Sequence, residues 1–145
     1  FVDSVRINPE NFKSLNPENI AFIQVIKDKN AVDRLGEEGI NGIIYIETKN
    51  FARKKLWNYL KRKSPDYTRL MPTVNSDSSF QYILNKKLLK NSYDYDLASI
   101  NDVTLQEVKI LDKTALKRDF GVEDKEYGVQ ILTEPLRDSN KSNRF

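Results

Sequence analysis

Short apolar groups separated by polar ones run along the whole chain, with spacing that switches between the period of a strand and that of a helix. Ile23 and Val25, and again Val108 and Ile110, alternate with polar neighbours and predict half-buried strands. Asn30 to Leu35 and Thr114 to Phe120 predict short helices, with Asn30 or Thr114 as N-cap and Gly36 or Gly121 as the stop. Each helix leads through a loop to a closing strand, at Ile43–Thr48 and Val129–Thr133. Upstream of each set, Asp3-Ser4 and Asn85-Lys86 stand where a tight turn joins two short strands, because Asp and Asn tolerate positive φ. Between the sets, Phe51, Leu56, Tyr59 and Leu60 fall at roughly helical spacing over Phe51–Lys63, and Ser64-Pro65 ends that helix. Ser64–Ser79 reads as extended or irregular, since Pro65 and Pro72 limit helix and Asn75 to Ser79 form a flexible join. Arg137–Phe145 reads as a polar, frayed tail.

The same elements therefore occur twice, and sliding the chain against itself makes the repeat explicit. At an offset of 85, Ser14-Leu15-Asn16 falls on Ser99-Ile100-Asn101, Ile23 on Val108, Val25 on Ile110 and Leu35-Gly36 on Phe120-Gly121, without a gap. Beyond that, one extra residue in the second loop brings Gly42 onto Gly128, with a further slip needed before Thr48 meets Thr133. A helix on one face of a small sheet, present twice, predicts an α+β chain. We expect two tandem ββαβ-like modules related by a pseudo-two-fold, at 1–50 and 80–136, joined by a helical linker at 51–79 and followed by the tail at 137–145.

Composition narrows the chemistry. With no Cys and no His in 145 residues, disulfides, thiolate nucleophiles, Cys/His zinc sites and imidazole acid–base schemes are all excluded. No run approaches the roughly 20 apolar residues of a membrane-spanning helix. The chain opens on Phe1 without an initiator Met, so we expect a mature or excised segment.

The string Asn16-Pro17-Glu18-Asn19-Ile20-Ala21-Phe22-Ile23-Gln24-Val25-Ile26-Lys27-Asp28, followed by Gly36 to Gly39 and Asn41-Gly42-Ile43-Ile44-Tyr45-Ile46-Glu47-Thr48-Lys49, resembles the second half of a TonB-dependent receptor plug domain of the Bacteroidetes type. It is also similar to the plug-like modules of periplasmic parts of some membrane metallopeptidase sensors. Phe1-Val2-Asp3 resembles the family's strand before its Asp-Gly turn. The second repeat keeps Tyr82-Ile83-Leu84-Asn85, Gly121 and Gly128, but has Leu111-Asp112 for Lys-Asp, Tyr127 for Asn and Glu134-Pro135 for the final Thr-Lys. No barrel strands and no TonB-box segment are recognisable around the repeats. What the resemblance implies is a non-catalytic, periplasm-facing or outer-membrane-associated module with an envelope protein as partner, and no cofactor.

Candidate chemistry is sparse. Gly36, Gly39 and Gly42 follow a helix and open a strand, the reverse of a phosphate-binding loop, so they and Gly121 and Gly128 read as structural. The acid pairs Glu37/Glu38 and Asp94/Asp96 fall in expected polar loops without the desolvation that acid–base catalysis needs, and they lack the spacing of a calcium loop. Ser64 and Ser99 have no context that marks a nucleophile. Charge is the stronger signal. The chain carries +3 overall, yet residues 51–70 hold seven cations against Asp66 alone, a local +6 that leaves −3 for the rest. Arg53, Lys54, Lys55, Lys61, Arg62, Lys63 and Arg69 are interleaved with Phe51, Trp57, Tyr59 and Tyr67. The plain reading is a linker helix whose aromatics pack while its cations face water. The others are an anionic protein or lipid surface and, ranking below both, single-stranded nucleic acid.

Overall fold

The structure, a computed structural model, describes residues 1–91 and 93–134, so the expected tail at 137–145 lies outside the described residues. The chain is mixed α+β with two small sheets. Its contacts divide it into two compact units, the first comprising Phe1–Leu56 with 93–99 and the second Trp57–Asn91 with 100–134.

In the first unit β1 (Ile20–Ile26) runs antiparallel to β2 (Ile43–Thr48). On the other side of β2, Val2 bridges Ile46 in parallel and Val5 in antiparallel fashion, so residues 1–5 form a minimal hairpin. The hairpin turns at Asp3 and Ser4, with φ of 49° and 68°. Between the strands lies α1 (Asp28–Leu35), entered at Asp28 with φ of 56°, a conformation Asp adopts more readily than most residues. Ile26, Ala31 and Ile43 form the core there, flanked by Phe1, Leu35 and Tyr45. A second small cluster of Ala21, Ala52 and Ala98 joins β1 to α2 (Lys49–Lys63) and α4 (Asp94–Ala98), with the Phe22 and Tyr95 rings 5.4 Å apart.

The second unit has four strands, β3 (Phe80–Leu84), β4 (Lys87–Leu88), β5 (Leu105–Asp112) and β6 (Tyr127–Thr133), in the order β4-β3-β6-β5. β3 and β6 are parallel and the other pairs antiparallel. The β3–β4 turn is Asn85-Lys86, with φ of 48° and 71°. Ile83, Leu111, Leu116 and Val122 pack between the sheet and α5 (Lys113–Phe120).

Four helices depart from the sequence expectation. The segment after Ser64 is not extended: α3 (Pro65–Leu70) begins on Ser64, whose side chain accepts from the Tyr67 N–H, with Pro65 in the first turn where its missing N–H costs nothing. The acid-rich stretch around Asp94 is α4, not a loop. Neither repeat helix starts where expected. α1 starts at Asp28, whose N-cap Lys27 makes no side-chain bond, and α5 is capped by Asp112, which accepts from the Ala115 N–H.

The loop insertion inferred before β6 is also absent. Ile20 pairs with Thr48 and Ile26 with Ile43, while Leu105 pairs with Thr133 and Leu111 with Gly128, each pair 85 positions after its counterpart. Both ladders shift register at the same place, between Ile20 and Phe22 and between Leu105 and Glu107. Gly128 therefore stands where Ile43 does, not where Gly42 does. The reason is volume. Ala31 on α1 faces Ile43, whereas the residue 85 positions after Ala31, Leu116, reaches over Gly128 and would lie 2.9 Å from a Cβ placed there. Large and small have exchanged sides, and aligning glycine with glycine hides the exchange.

This contact predicts strong coupling. Gly128→Ala should cost about 1–3 kcal/mol by overpacking and Leu116→Ala about 2–5 kcal/mol by leaving a cavity. In urea titrations the double variant should be better than the sum of the two by about 1 kcal/mol or more, whereas strict additivity would mean that the two side chains do not share one space.

Candidate interaction surface

The best-defined polar geometry joins each hairpin turn to the end of a strand. Thr48, the last residue of β2, donates its N–H to Asp3 Oδ1 and its hydroxyl to Asp3 Oδ2, both at 2.8 Å. The same hydroxyl accepts from the Phe51 N–H at 3.3 Å, capping α2. In the second unit Thr133 donates its N–H to Asn85 Oδ1 at 3.0 Å, and Asn85 Nδ2 donates to the Thr133 hydroxyl at 2.9 Å. A short acid or amide at the first left-handed position of the turn is what both locks need, and this was legible in the sequence only as a turn.

These locks leave two apolar surfaces on the first unit. Among the described residues β1 pairs on one side only, and its Ile23, Gln24 and Val25 are all exposed, Ile23 by 49% and Val25 by 54%. The expectation of a half-buried strand fails at these residues. Beside Phe1 lies a groove of about 370 Å³, with Phe12, Leu35 and Ile44 in its walls and the Arg6–Glu38 ion pair, 2.6 Å long, among its lining residues. Sequence reasoning missed this groove; the only signal was Ile7 and Phe12 in the otherwise polar stretch 6–14.

The basic residues are largely engaged. In the first unit Lys49 and Arg53 lie 3.7 and 3.9 Å from Asp94, and Lys55 donates to Glu47 Oε1 at 2.7 Å and to the Ala98 carbonyl at 3.2 Å. In the second, Arg62 pairs with Asp102 at 3.0 Å and lies over the Tyr59 ring, and Arg69 pairs with Asp66 at 3.2 Å. Lys61 sits 4.0 Å above Trp57, whose indole N–H donates to the Met71 carbonyl at 3.1 Å. Lys54 and Lys63 are exposed, and neither forms an ion pair among the described residues. Tyr67 is not an exposed stacking platform but is buried in contact with Phe80.

The glycines stand at helix ends, turns and close contacts. Gly36 and Gly121 close α1 and α5 at φ of 60° and 69°, and Gly42 turns at φ of 85°. A Cβ on Gly39 would lie 2.2 Å from the Ala31 carbonyl oxygen. Ser99 donates to the Asp96 carbonyl at 2.6 Å, and Ser64 is the cap of α3. Among the described residues no group of three or more Asp or Glu side chains could hold a metal ion, and no helix is long and apolar enough to cross a membrane. No family model, no curated protein and no solved structure matches the chain.

Two outcomes follow from these groups. Thr48→Val keeps the backbone bond to Asp3 but loses the hydroxyl's bond to Asp3 and the cap on α2 together, so it should cost about 1–3 kcal/mol in chemical denaturation, more than Thr133→Val; equal costs would mean that the cap contributes nothing. The second concerns alkaline pH. Burial pushes the Tyr67 hydroxyl up to about 12, and burial raises Tyr82 as well, with the Tyr67 hydroxyl and Asp77 adding to it. The folded chain keeps these protons while the unfolded chain releases them near pH 10, so their contribution is complete below about pH 10 and falls as pH rises toward about 12. Tyr82→Phe should flatten that fall, read as the slope of unfolding free energy against pH.

Proposed function

We propose that the chain is a non-catalytic interaction module of a bacterial envelope protein, built as two tandem ββαβ-like modules that resemble the plug domain of TonB-dependent outer-membrane receptors, and working in the periplasm or at the outer membrane. The module reading is supported by the shared 85-residue spacing of the ladders, the matching register shifts and the Asp3–Thr48 and Asn85–Thr133 locks. The binding reading is carried by one observation: β1 presents exposed Ile23 and Val25 on a strand that, among the described residues, pairs on one side only. Such an edge offers backbone donors and acceptors to an extended partner segment, and alternate side chains supply the selectivity.

The competing reading gives residues 51–69 to nucleic acid or another anionic surface. It is weakened by the ion pairs that Arg53, Lys55, Arg62 and Arg69 already make. Filter binding separates the two. Tight binding whose log K falls steeply with log salt, and which is lost on charge reversal of Lys54, Lys55, Lys61 and Arg62, would overturn the interaction module. The positive test places a photo-crosslinking residue at Ile23 in cells and compares it with one at Lys109. We expect an adduct in the envelope fraction at Ile23 that Val25→Lys abolishes. Fractionation with the cytosol, or equal labelling at Lys109, sinks the reading.

A further inference from the structure

The two sheets end on equivalent strands. β5 stands 85 positions after β1 and is likewise the outer strand of its sheet among the described residues, so the open edge belongs to the topology of the unit. The two edges differ in charge. β5 carries exposed Glu107 and Lys109, and charges on an edge strand deter another strand from pairing with it. The residues at those positions on β1 are Phe22 and Gln24, and Ile20–Ile26 holds no charged side chain, no Pro and no Gly. That composition at an edge favours pairing of strand with strand. The direction of the β1 backbone groups follows from β2, whose Ile44 and Ile46 bond to Phe1 and Asp3 on the far side. Backbone groups alternate sides along a strand, so Ile43, Tyr45 and Glu47 bond to their partners Ile26, Gln24 and Phe22. The N–H and carbonyl of Ile23 and of Val25 are therefore turned to the open edge, and no other segment bonds them among the described residues.

We propose that the occupant of this edge is β1 of a second copy of the chain, paired antiparallel about a two-fold axis at Gln24. In that register Ile23 of each copy stands opposite the partner's Val25, and the outward N–H and carbonyl groups of one strand all bond to those of the other. Gln24 faces the partner's Gln24 in the non-hydrogen-bonded site between these pairs, a neutral contact that brings no like charges together. The side chains of Ile23 and Val25, exposed by 49% and 54%, lie on one face of the joined sheet and cover each other. Charge selects the direction. Glu18 precedes the strand and Lys27, Asp28 and Lys29 follow it, one net charge of each sign, all on exposed residues. Antiparallel copies bring the negative end to the positive, whereas parallel copies would set like ends together. The two-fold makes the contact self-complementary and closed, so pairing stops at two chains. The proposal rests on the reading of β1 as a binding edge and names its partner as the chain itself.

The test uses the full chain, which has no cysteine of its own. Sedimentation equilibrium of the unaltered chain should show monomer and dimer in proportions that follow concentration, since two short strands make a contact at the small end of specific interfaces. A chain that stays monomeric up to about 1 mM overturns the proposal. Gln24→Cys, oxidised with glutathione disulfide, should give a linked dimer, because a non-hydrogen-bonded pair holds its Cα atoms about 4.5 Å apart, within the span of a disulfide. The link should form about tenfold faster or more than with Ile23→Cys, whose two copies stand on a diagonal about 7–8 Å long, or with Lys109→Cys on β5. Equal rates at the three positions mean random collision and overturn the pairing, and a faster link at Ile23 overturns the register. Gln24→Lys gives β1 the residue that β5 has there and sets two like charges face to face, so it should weaken dimerisation about tenfold or more. Gln24 is exposed, so the unfolding midpoint of the dilute variant should stay where it is, and an unchanged dimer overturns the proposal. An adduct at Ile23 in the envelope with the mass of two chains supports it. An adduct of another mass on a chain that stays monomeric removes the second copy and leaves the interaction module standing; no adduct on such a chain removes both.

Discussion

The closing strand of each unit is bonded on both sides, and its two neighbours run in opposite senses. β2 is antiparallel to β1 and parallel to the Phe1–Asp3 strand; β6 is antiparallel to β5 and parallel to β3. A parallel neighbour cannot be reached through a tight turn, so the chain must leave the hairpin, lay down a strand and a helix, and return. The helix then has one face of the sheet to cover, and the core forms there. Asp3 and Asn85 tie the excursion shut. Each bends its hairpin by taking a left-handed φ and uses the oxygen thus presented to accept the backbone N–H of the strand's last residue. In the first unit the same threonine hydroxyl also starts α2, so hairpin, strand and helix share one small polar centre.

Given that frame, the helix-to-strand contact can be filled in more than one way. Ala31 against Ile43 and Leu116 against Gly128 supply similar combined bulk from opposite sides. Close packing constrains the sum more tightly than either member. The same strand pairing is therefore compatible with either filling, and the glycine stops Gly36 and Gly121 keep the 85-residue spacing of the ladders, whereas the locks span 45 residues in one unit and 48 in the other.

That asymmetry explains what could be read from the sequence. The alternating strands, the two short helices and the turn pairs are local signals, and each is present close to its expected place. Register across the sheet is not local. Matching Gly42 to Gly128 was the natural choice on residue type, and only the strand pairing shows that Ile43 is the counterpart. α3 was missed because Pro65 reads as a breaker, although a proline in the first turn after a serine cap is a start signal. α4 was missed because Asp94 and Asp96 suggest solvent, whereas Leu97 and Ala98 bury the other face. The groove beside Phe1 was invisible because its walls come from distant positions, Phe12, Leu35 and Ile44.

Charge is where the linear view misleads most. A window over 51–70 counts seven cations and one acid, Asp66, which pairs with Arg69, but the partners of Arg53, Lys55 and Arg62 lie elsewhere in the chain: Glu47 and Asp94 in the first unit, Asp102 in the second. The −3 carried by the rest of the sequence is thus partly folded back onto the +6 segment. Trp57 and Tyr59 lie beneath Lys61 and Arg62, so these aromatic faces are covered by the chain's own cations. A polyanion docking here would have to break these contacts before gaining any of its own, and exposed ion pairs give only modest energy in either direction. The exposed edge of β1 is different in kind. The faces of Ile23 and Val25 are exposed, and among the described residues the far side of β1 has no strand, so an added strand displaces no ion pair there. On the proposed reading, backbone pairing and apolar burial at this edge, rather than net charge, would carry the binding energy.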